Sequence, residues 1–285
     1  MNKIAIAVIH GIGEQKPDFA DEMTIGLREQ FVKQDKKRLS GAELCIKPVY
    51  WAPLLQKAED NLWRAMLKGG TLDFISLRRF MINFAADAIA YQPAGSDREV
   101  YDQVHGVFAQ SLRGLAEEAG EKAPLCIIAH SLGTVIASNY IYDLQAAPKK
   151  KLIPETVKSV AGATPIEKGE TLCLFYTLGS PIAIWSLRYA DFGVPVAAPD
   201  PRLAKHYPNI AGEWVNFYDR DDVIGYPLKN LNSLYNRAVK QDVEINAGGF
   251  LSSWNPLSHL GYLTDGDALK PMAQGLYKAW AGANG

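Results

Sequence analysis

Leu125-Cys-Ile-Ile-Ala-His-Ser-Leu-Gly133 is the stretch that decides the fold of this chain. Its apolar first half predicts a buried strand, and the residues from Leu132 onward predict a helix. A serine at the apex of such a turn, here Ser131, is held in a strained conformation that exposes its Oγ, as in a nucleophile elbow. Small residues must flank it because strand and helix pass close together there; Gly133 supplies one, and Ala129 occupies the other position. The alternative is a serine that caps the helix N-terminus.

A serine nucleophile needs a histidine base, and the base needs a carboxylate that orients it. Two histidines follow Ser131 beyond its neighbour His130, whose side chain we expect to pack away from the serine Oγ. His206 precedes the carboxylate candidates, whereas His259 lies in a loop after the last predicted strand. The order serine, acid, histidine therefore predicts His259 as the base.

The orienting carboxylate is expected on the loop after the predicted strand from Trp214 to Tyr218. Three carboxylates compete there, Asp219, Asp221 and Asp222. Those that do not orient the histidine are expected to cap the turn, a role that suits aspartate.

The first predicted strand ends in His10-Gly-Ile-Gly13, a loop whose glycines allow the backbone to approach a substrate closely. Attack on a carbonyl needs backbone N–H donors for the developing oxyanion. We expect one from Leu132 and the other from Ile12, with Gly11 as second choice, and we expect His10 to order the loop. A phosphate-binding loop is the alternative, but a third glycine and the Lys-Ser/Thr pair of such loops are missing.

Three short motifs resemble a known family: Val8-Ile-His-Gly-Ile-Gly13, Ala129-His-Ser-Leu-Gly133 and Phe175-Tyr-Thr-Leu-Gly-Ser-Pro181. They resemble segments of the α/β-hydrolase superfamily, of its lipase-like members and, more narrowly, of DDHD-domain phospholipases. The resemblance implies an α/β-hydrolase fold and serine esterase chemistry. This chain departs from the family at Ala129, where the elbow has glycine, and at Asp222, where the family has an Asp-Pro-Val turn.

The resemblance also favours one of the three carboxylates. In lipases an Asp-x-Val sequence follows this strand, with a proline six residues after the Asp, and Asp221 with Val223 and Pro227 fits that pattern. We therefore predict a triad of Ser131, Asp221 and His259, with Asp219 and Asp222 as the alternatives.

Strand-like and helix-like segments alternate along the 285 residues, which predicts a single α/β domain with a largely parallel sheet over 1–285. Residues 53–91 are rich in large apolar side chains near helical spacing, and Gly69-Gly70 divides them into at least two helices. This stretch is longer than a plain crossover needs. We interpret it as a helical insertion that partly covers the active site as a lid or cap; plain packing on the sheet face is the alternative.

Composition excludes several classes of protein. The net charge of −1 and the lack of a long basic run argue against nucleic-acid binding. No segment approaches the roughly 20 apolar residues of a membrane span, and the apolar N-terminus is too short for a secretory signal, so we expect a cytoplasmic protein. Three scattered cysteines are typical of buried free thiols in a reducing compartment.

Together these features predict a serine ester hydrolase acting on a hydrophobic, small-molecule or lipid-like acyl ester, without metal or organic cofactor. An acyltransferase or amidase using the same triad is one alternative. A catalytically weak module that binds a lipid or a partner is the other, and the apolar 53–91 segment motivates it.

Overall fold

The computed structural model describes residues 1–11, 15–93, 98–146, 154, 157, 160, 162–247, 259 and 261–285. Its strands are β1 Ile4–Ile9, β2 Leu44–Val49, β3 Leu125–His130, β4 Leu172–Leu178, β5 Glu213–Tyr218 and β6 Gln241–Glu244. Its α-helices are α1 Asp21–Val32, α2 Pro53–Lys68, α3 Ile75–Tyr91, α4 Glu99–Ala119, α5 Leu132–Ala146, α6 Ile182–Ser186, α7 Ser233–Ala238 and α8 Gly266–Asn284.

The strands form one sheet in the order β2-β1-β3-β4-β5-β6, with every neighbouring pair parallel. The chain leaves β1 toward β2 on one side, then returns to place β3 on the other side. At such a reversal the loops after two adjacent strands diverge and leave a crevice at their carboxyl ends. The crevice between β1 and β3 is therefore where His10-Gly11 and Ser131 meet.

Helices cover both faces of the sheet. Side chains alternate along β1, so that Ala5, Ala7 and Ile9 join the core under α4 and α5 while Ile4, Ile6 and Val8 join the core under α1 and α8. Both faces of β1 and β3 are buried, which explains why these strands are continuous apolar runs. The predicted α/β fold with a mostly parallel sheet is confirmed.

Two helices differ from what the sequence predicts. Apolar residues near helical spacing predict one amphipathic helix over 21–39, but α1 ends at Val32, because the charged residues 35–38 have no apolar face to bury. Helix α7 was not predicted; its N-cap is Asn232, whose side chain accepts hydrogen bonds from the N–H groups of Leu234 and Tyr235.

Residues 53–91 form the two helices expected, α2 and α3, on either side of Gly69-Gly70. They pack on each other and on α4. Phe84 on α3 also meets the ring of Trp185 on α6 edge to face, with 6.4 Å between centroids. Whether this helical insertion acts as a lid stays a prediction.

The expectations about the cysteines and about membrane spans can be compared with the structure. Cys45, Cys126 and Cys173 are buried free thiols, as predicted. Among the helices of the described ranges, none has the length and apolar character needed to cross a bilayer.

Candidate active site

The turn between β3 and α5 holds Ser131 in a backbone conformation that L-residues rarely adopt, with φ of 54°. Its N–H donates to the carbonyl of Leu178 at 2.9 Å, and the residue is fully buried. A Cβ on Gly133 would lie 2.4 Å from the carbonyl oxygen of His10, and one on Gly11 would lie 2.4 Å from the Ser131 Cβ. Both glycines are therefore required by the close approach of β1, the elbow and α5.

The Ser131 hydroxyl contacts His259, as the sequence predicted. Nε2 of His259 lies 2.6 Å from Ser131 Oγ, and its Nδ1 lies 2.8 Å from Oδ2 of Asp222. These three side chains are buried and form one line of hydrogen bonds, although Ser131 and His259 lie 128 residues apart in the chain.

The prediction that Asp221 orients the histidine is wrong in its geometry: Asp222 contacts His259, and Asp221 is exposed. The turn after β5 explains the difference. Asp219 accepts the N–H of Asp221 through Oδ1 at 2.8 Å and the N–H of Ala247 through Oδ2 at 2.7 Å. Asp219 thus caps the turn, and the backbone it fixes directs Asp222 inward and Asp221 to solvent.

The Asp222 carboxylate is held by three donors. Oδ2 accepts from His259 and from the Tyr262 hydroxyl at 2.9 Å, and Oδ1 accepts from the N–H of Ile224 at 2.9 Å. Burial acts to raise the pKa of Asp222, but the hydrogen bond and charge interaction with His259, with the other two donors, outweigh burial and hold the pKa below its ordinary value. The group is therefore ionised at neutral pH and accepts a hydrogen bond from Nδ1–H of His259.

Tyr262 is a member of this network that sequence reasoning missed. Its hydroxyl accepts the N–H of Asp219 at 2.7 Å and donates to Asp222. Burial and the neighbouring Asp222 carboxylate raise the pKa of Tyr262, so it stays protonated and able to donate. Its position three residues after His259 was the available signal, since a loop that carries the base must also be fixed.

The Leu-Gly-Ser-Pro turn at the end of β4, residues 178–181, lies against Asp222 and His259. Gly179 has φ of 54°, and a Cβ there would lie 2.9 Å from the Tyr262 ring, 3.1 Å from Asp222 Oδ2 and 3.2 Å from His259 Cε1. A Cβ on Gly225 would lie 2.5 Å from Asp222 Oδ2. Both positions need glycine because the network fills the space where a side chain would stand.

The loop after β1 reaches the nucleophile, and His10 holds it. Burial lowers the pKa of His10 to about 4, so the ring is neutral. Nδ1–H donates to the carbonyl of Gly11 at 2.9 Å, while Nε2 accepts from the N–H groups of Trp51 at 3.2 Å and Ala52 at 3.3 Å. Ile12, the first choice for an oxyanion donor, lies outside the described residues. Gly11, the second choice, lies beside Ser131, since a Cβ on it would stand 2.9 Å from the Ser131 Oγ.

The other predicted donor, Leu132, is the first residue of α5. The N–H groups of a first helical turn have no partner within the helix, and the helix dipole places partial positive charge there. An anionic oxygen beside Ser131 Oγ would therefore meet a favourable field.

His130 supports the base through its backbone. Its ring lies beside that of His259, with 4.9 Å between centroids, and its Nε2–H donates to the His259 carbonyl at 2.7 Å. Burial, and then the nearby His259, lower the pKa of His130 to about 3, so it takes this role as a neutral ring.

The remaining histidines lie elsewhere. His105 on α4 bonds the Tyr91 hydroxyl at 3.0 Å in the core, and His206 pairs with Glu170 at 3.1 Å. In the described part of the chain, no three His, Cys, Asp or Glu side chains gather as a metal site would require.

Comparison with known proteins does not assign this chain to a family. No protein-family model matches the chain, and no curated protein matches it. Among solved structures, it is similar to the esterase domain of a Rhodothermus marinus protein, with 12% identity over 98% of this chain and 86% of that one, and a TM-score of 0.36. A likeness with so low a TM-score carries no weight for activity.

Proposed function

We propose that this protein is a serine ester hydrolase that cleaves hydrophobic acyl esters through Ser131, His259 and Asp222. One observation carries the proposal: the continuous path from Ser131 Oγ to His259 Nε2 at 2.6 Å and from His259 Nδ1 to Asp222 at 2.8 Å. The path supports nucleophilic catalysis because the base lies within hydrogen-bond reach of the hydroxyl and a carboxylate fixes its tautomer.

In the proposed reaction His259 Nε2 takes the Ser131 hydroxyl proton while Oγ attacks the ester carbonyl carbon. The resulting oxyanion accepts hydrogen bonds from Leu132 N–H and from the loop after β1, where Ile12 is the predicted donor. The intermediate collapses, the C–O bond to the alcohol breaks, and His259 gives its proton to the leaving oxygen. Water then attacks the acyl-enzyme with His259 again as base, and the acid leaves.

Asp222 has an electrostatic role in each proton transfer. When His259 becomes a cation, the ionised carboxylate 2.8 Å from Nδ1 stabilises that charge at a buried position, where the charge interaction is stronger than in bulk water. The resemblance to DDHD-domain phospholipases rests on short motifs alone. We therefore propose a hydrophobic acyl ester as the substrate and do not extend the proposal to phospholipids.

The direct test is turnover of p-nitrophenyl butyrate by the wild type and by Ser131→Ala. Loss of the nucleophile should lower kcat/KM by about 10⁴-fold or more, since the remaining groups act as a unit with it. Circular dichroism and the melting temperature of the variant control for folding. A folded Ser131→Ala variant with wild-type turnover would refute the proposal.

A further inference from the structure

A cavity of about 290 Å³ lies beside α5, on the side of the sheet that also carries α4. Its walls are formed by one face of α5, by helix α6, by the segment 189–196 and by Tyr235. None of the described side chains that line it is charged, and aromatic rings provide much of its surface. Nothing in the proposed proton transfers uses this space.

A chain of hydrogen bonds connects Ser131 to Ile182, a residue of the cavity wall. The Thr134 hydroxyl donates to the Ser131 carbonyl at 2.7 Å and lies 2.8 Å from the Ser180 hydroxyl, which accepts the N–H of Ile182 at 3.3 Å. Ile182 lines the cavity, as does Val135, the next residue after Thr134. The cavity therefore begins about one helical turn from Ser131.

From there the cavity follows α5 away from the elbow. Its lining includes Val135, Asn139 and Tyr142, which lie on one helix face over about 10 Å of helix axis. The outer end is open, since Val194 is 72% and Tyr189 56% exposed. The Asn139 amide nitrogen already has a partner outside the cavity, because it donates to the Tyr91 hydroxyl in the neighbouring core at 3.2 Å.

We propose that this cavity holds the acyl chain of the substrate, which makes the protein selective for medium-chain acyl esters. The inference rests on the proposed function and names the acyl group for it. A methylene group is comparable in size to a water molecule, whose share of liquid volume is about 30 Å³, so the space fits an acyl chain of roughly six to ten carbons. An uncharged wall favours an alkyl chain over any charged substituent.

The helical insertion supports the cavity from outside. Phe84 on α3 packs against Trp185, which lines the cavity from α6. The apolar 53–91 segment thus contacts the wall of the acyl site.

The test compares kcat/KM for p-nitrophenyl acetate, butyrate, hexanoate, octanoate, decanoate and palmitate. Ser138→Phe adds a ring in the middle of the cavity, and Val194→Trp narrows its exposed mouth, where a folding defect is not expected. Gln110→Phe, at an exposed position on α4, controls for the added aromatic ring.

We expect the wild type to be fastest between hexanoate and decanoate. Each cavity variant should lower the octanoate-to-acetate ratio of kcat/KM by about tenfold or more, while Gln110→Phe keeps the wild-type ratio. If Ser138→Phe does not fold, Val194→Trp decides.

Two results would overturn the inference, and they differ. If both folded variants keep the wild-type ratio while a small fluorophosphonate still labels Ser131, the acyl chain binds elsewhere and the proposed function stands. If the wild type neither cleaves any ester nor reacts with the probe, the proposed function fails and the acyl site fails with it.

Discussion

Three donors converge on the Asp222 carboxylate, and together they define its charge and its direction. An ionised carboxylate accepts a hydrogen bond from Nδ1–H of His259, which keeps the proton on Nδ1 and leaves Nε2 free to accept the proton of Ser131. Asp221, the adjacent residue, is exposed and donates only its backbone N–H to Asp219 among the bonds described. The pair therefore offers a matched comparison of two neighbouring carboxylates.

Replacing Asp222 by asparagine should lower kcat/KM by on the order of 10³ to 10⁴, because the amide favours the wrong imidazole tautomer and removes the compensating charge. Asp221→Asn should keep kcat/KM within about threefold, as surface substitutions usually do. Steady-state kinetics on one ester measures both. Equal losses in the two variants would contradict the assignment of Asp222.

Sequence reasoning narrowed the acid to three residues but could not choose correctly among them. Successive residues of a turn point in different directions, and the direction here depends on the bond from Asp219 to the N–H of Ala247, a residue from a different strand end. A motif that matches by spacing contains no information about such a distant contact.

Tyr262→Phe should separate two effects of one hydroxyl. Asp219 N–H would lose its acceptor in a buried site, which should lower the free energy of unfolding by about 1–3 kcal/mol. Asp222 would lose a donor and some of its fixed direction, so kcat should fall by about tenfold. Urea unfolding measures the change in stability, and steady-state kinetics measures the change in kcat. A destabilised variant with unchanged kcat would show that Tyr262 contributes to stability and not to catalysis.

At the scale of elements, the elbow depends on how closely the end of β1, the turn and α5 approach one another. The carbonyl of His10 lies where a Cβ on Gly133 would stand, and the Ser131 side chain lies where a Cβ on Gly11 would stand. The apolar strand, the serine and the glycines were readable from the sequence because each is required by local geometry.

How well the bounds of the other elements could be predicted depended on whether burial leaves a pattern in the sequence. The end of β1 and the start of β3 matched the prediction because a buried central strand is a continuous apolar run. The extra length predicted for α1 came from charged residues that are compatible with a helix but have no core to cover. Helix α7 is six residues long, too short for apolar periodicity to reveal.

Gly133→Ala should disrupt the elbow. Its Cβ would meet the backbone of His10 at 2.4 Å, and since backbone cannot rotate away, we expect a loss of about 1–3 kcal/mol in unfolding free energy and a large loss of activity. Gly106→Ala on α4 is the control, because nothing lies within 4 Å of its Cβ and alanine favours a helix by up to about 1 kcal/mol. Denaturant unfolding of both variants tests this; equal stability would argue against the close approach.

At the scale of the whole molecule, the site exists only when the sheet is assembled. The chain reversal at β1 brings the loops after β1 and β3 together, and the loops after β5 and β6 supply Asp222 and His259. Two further neutral histidines, His10 and His130, hold the loops in place from within the protein. Their burial makes the stability of the fold depend on pH.

Burial lowers the pKa of His10 to about 4 and that of His130 to about 3, below the ordinary value of 6.5. Between about pH 6.5 and 4 the unfolded chain therefore binds more protons than the folded one, and the free energy of unfolding falls as the pH falls. His10 alone accounts for up to about 3 kcal/mol of this loss. Stability should be independent of these two groups above pH 7.

Urea unfolding at pH 7.5, 5.5 and 4.5 measures the dependence. We expect a steady fall in the free energy of unfolding toward low pH, with a shallower slope in His10→Gln, which cannot take up the proton. A free energy of unfolding that stays constant across this range would show that these rings are not buried as neutral groups.

The most direct test of the catalytic line is brief treatment with a fluorophosphonate, followed by intact-protein mass spectrometry and peptide mapping. A serine activated by an adjacent histidine reacts rapidly with such a probe. We expect one adduct per chain on Ser131, formed much more slowly in Asp222→Asn and at the normal rate in Asp221→Asn. An adduct on a different residue, or none on the folded protein, would contradict the proposed role of Ser131, His259 and Asp222.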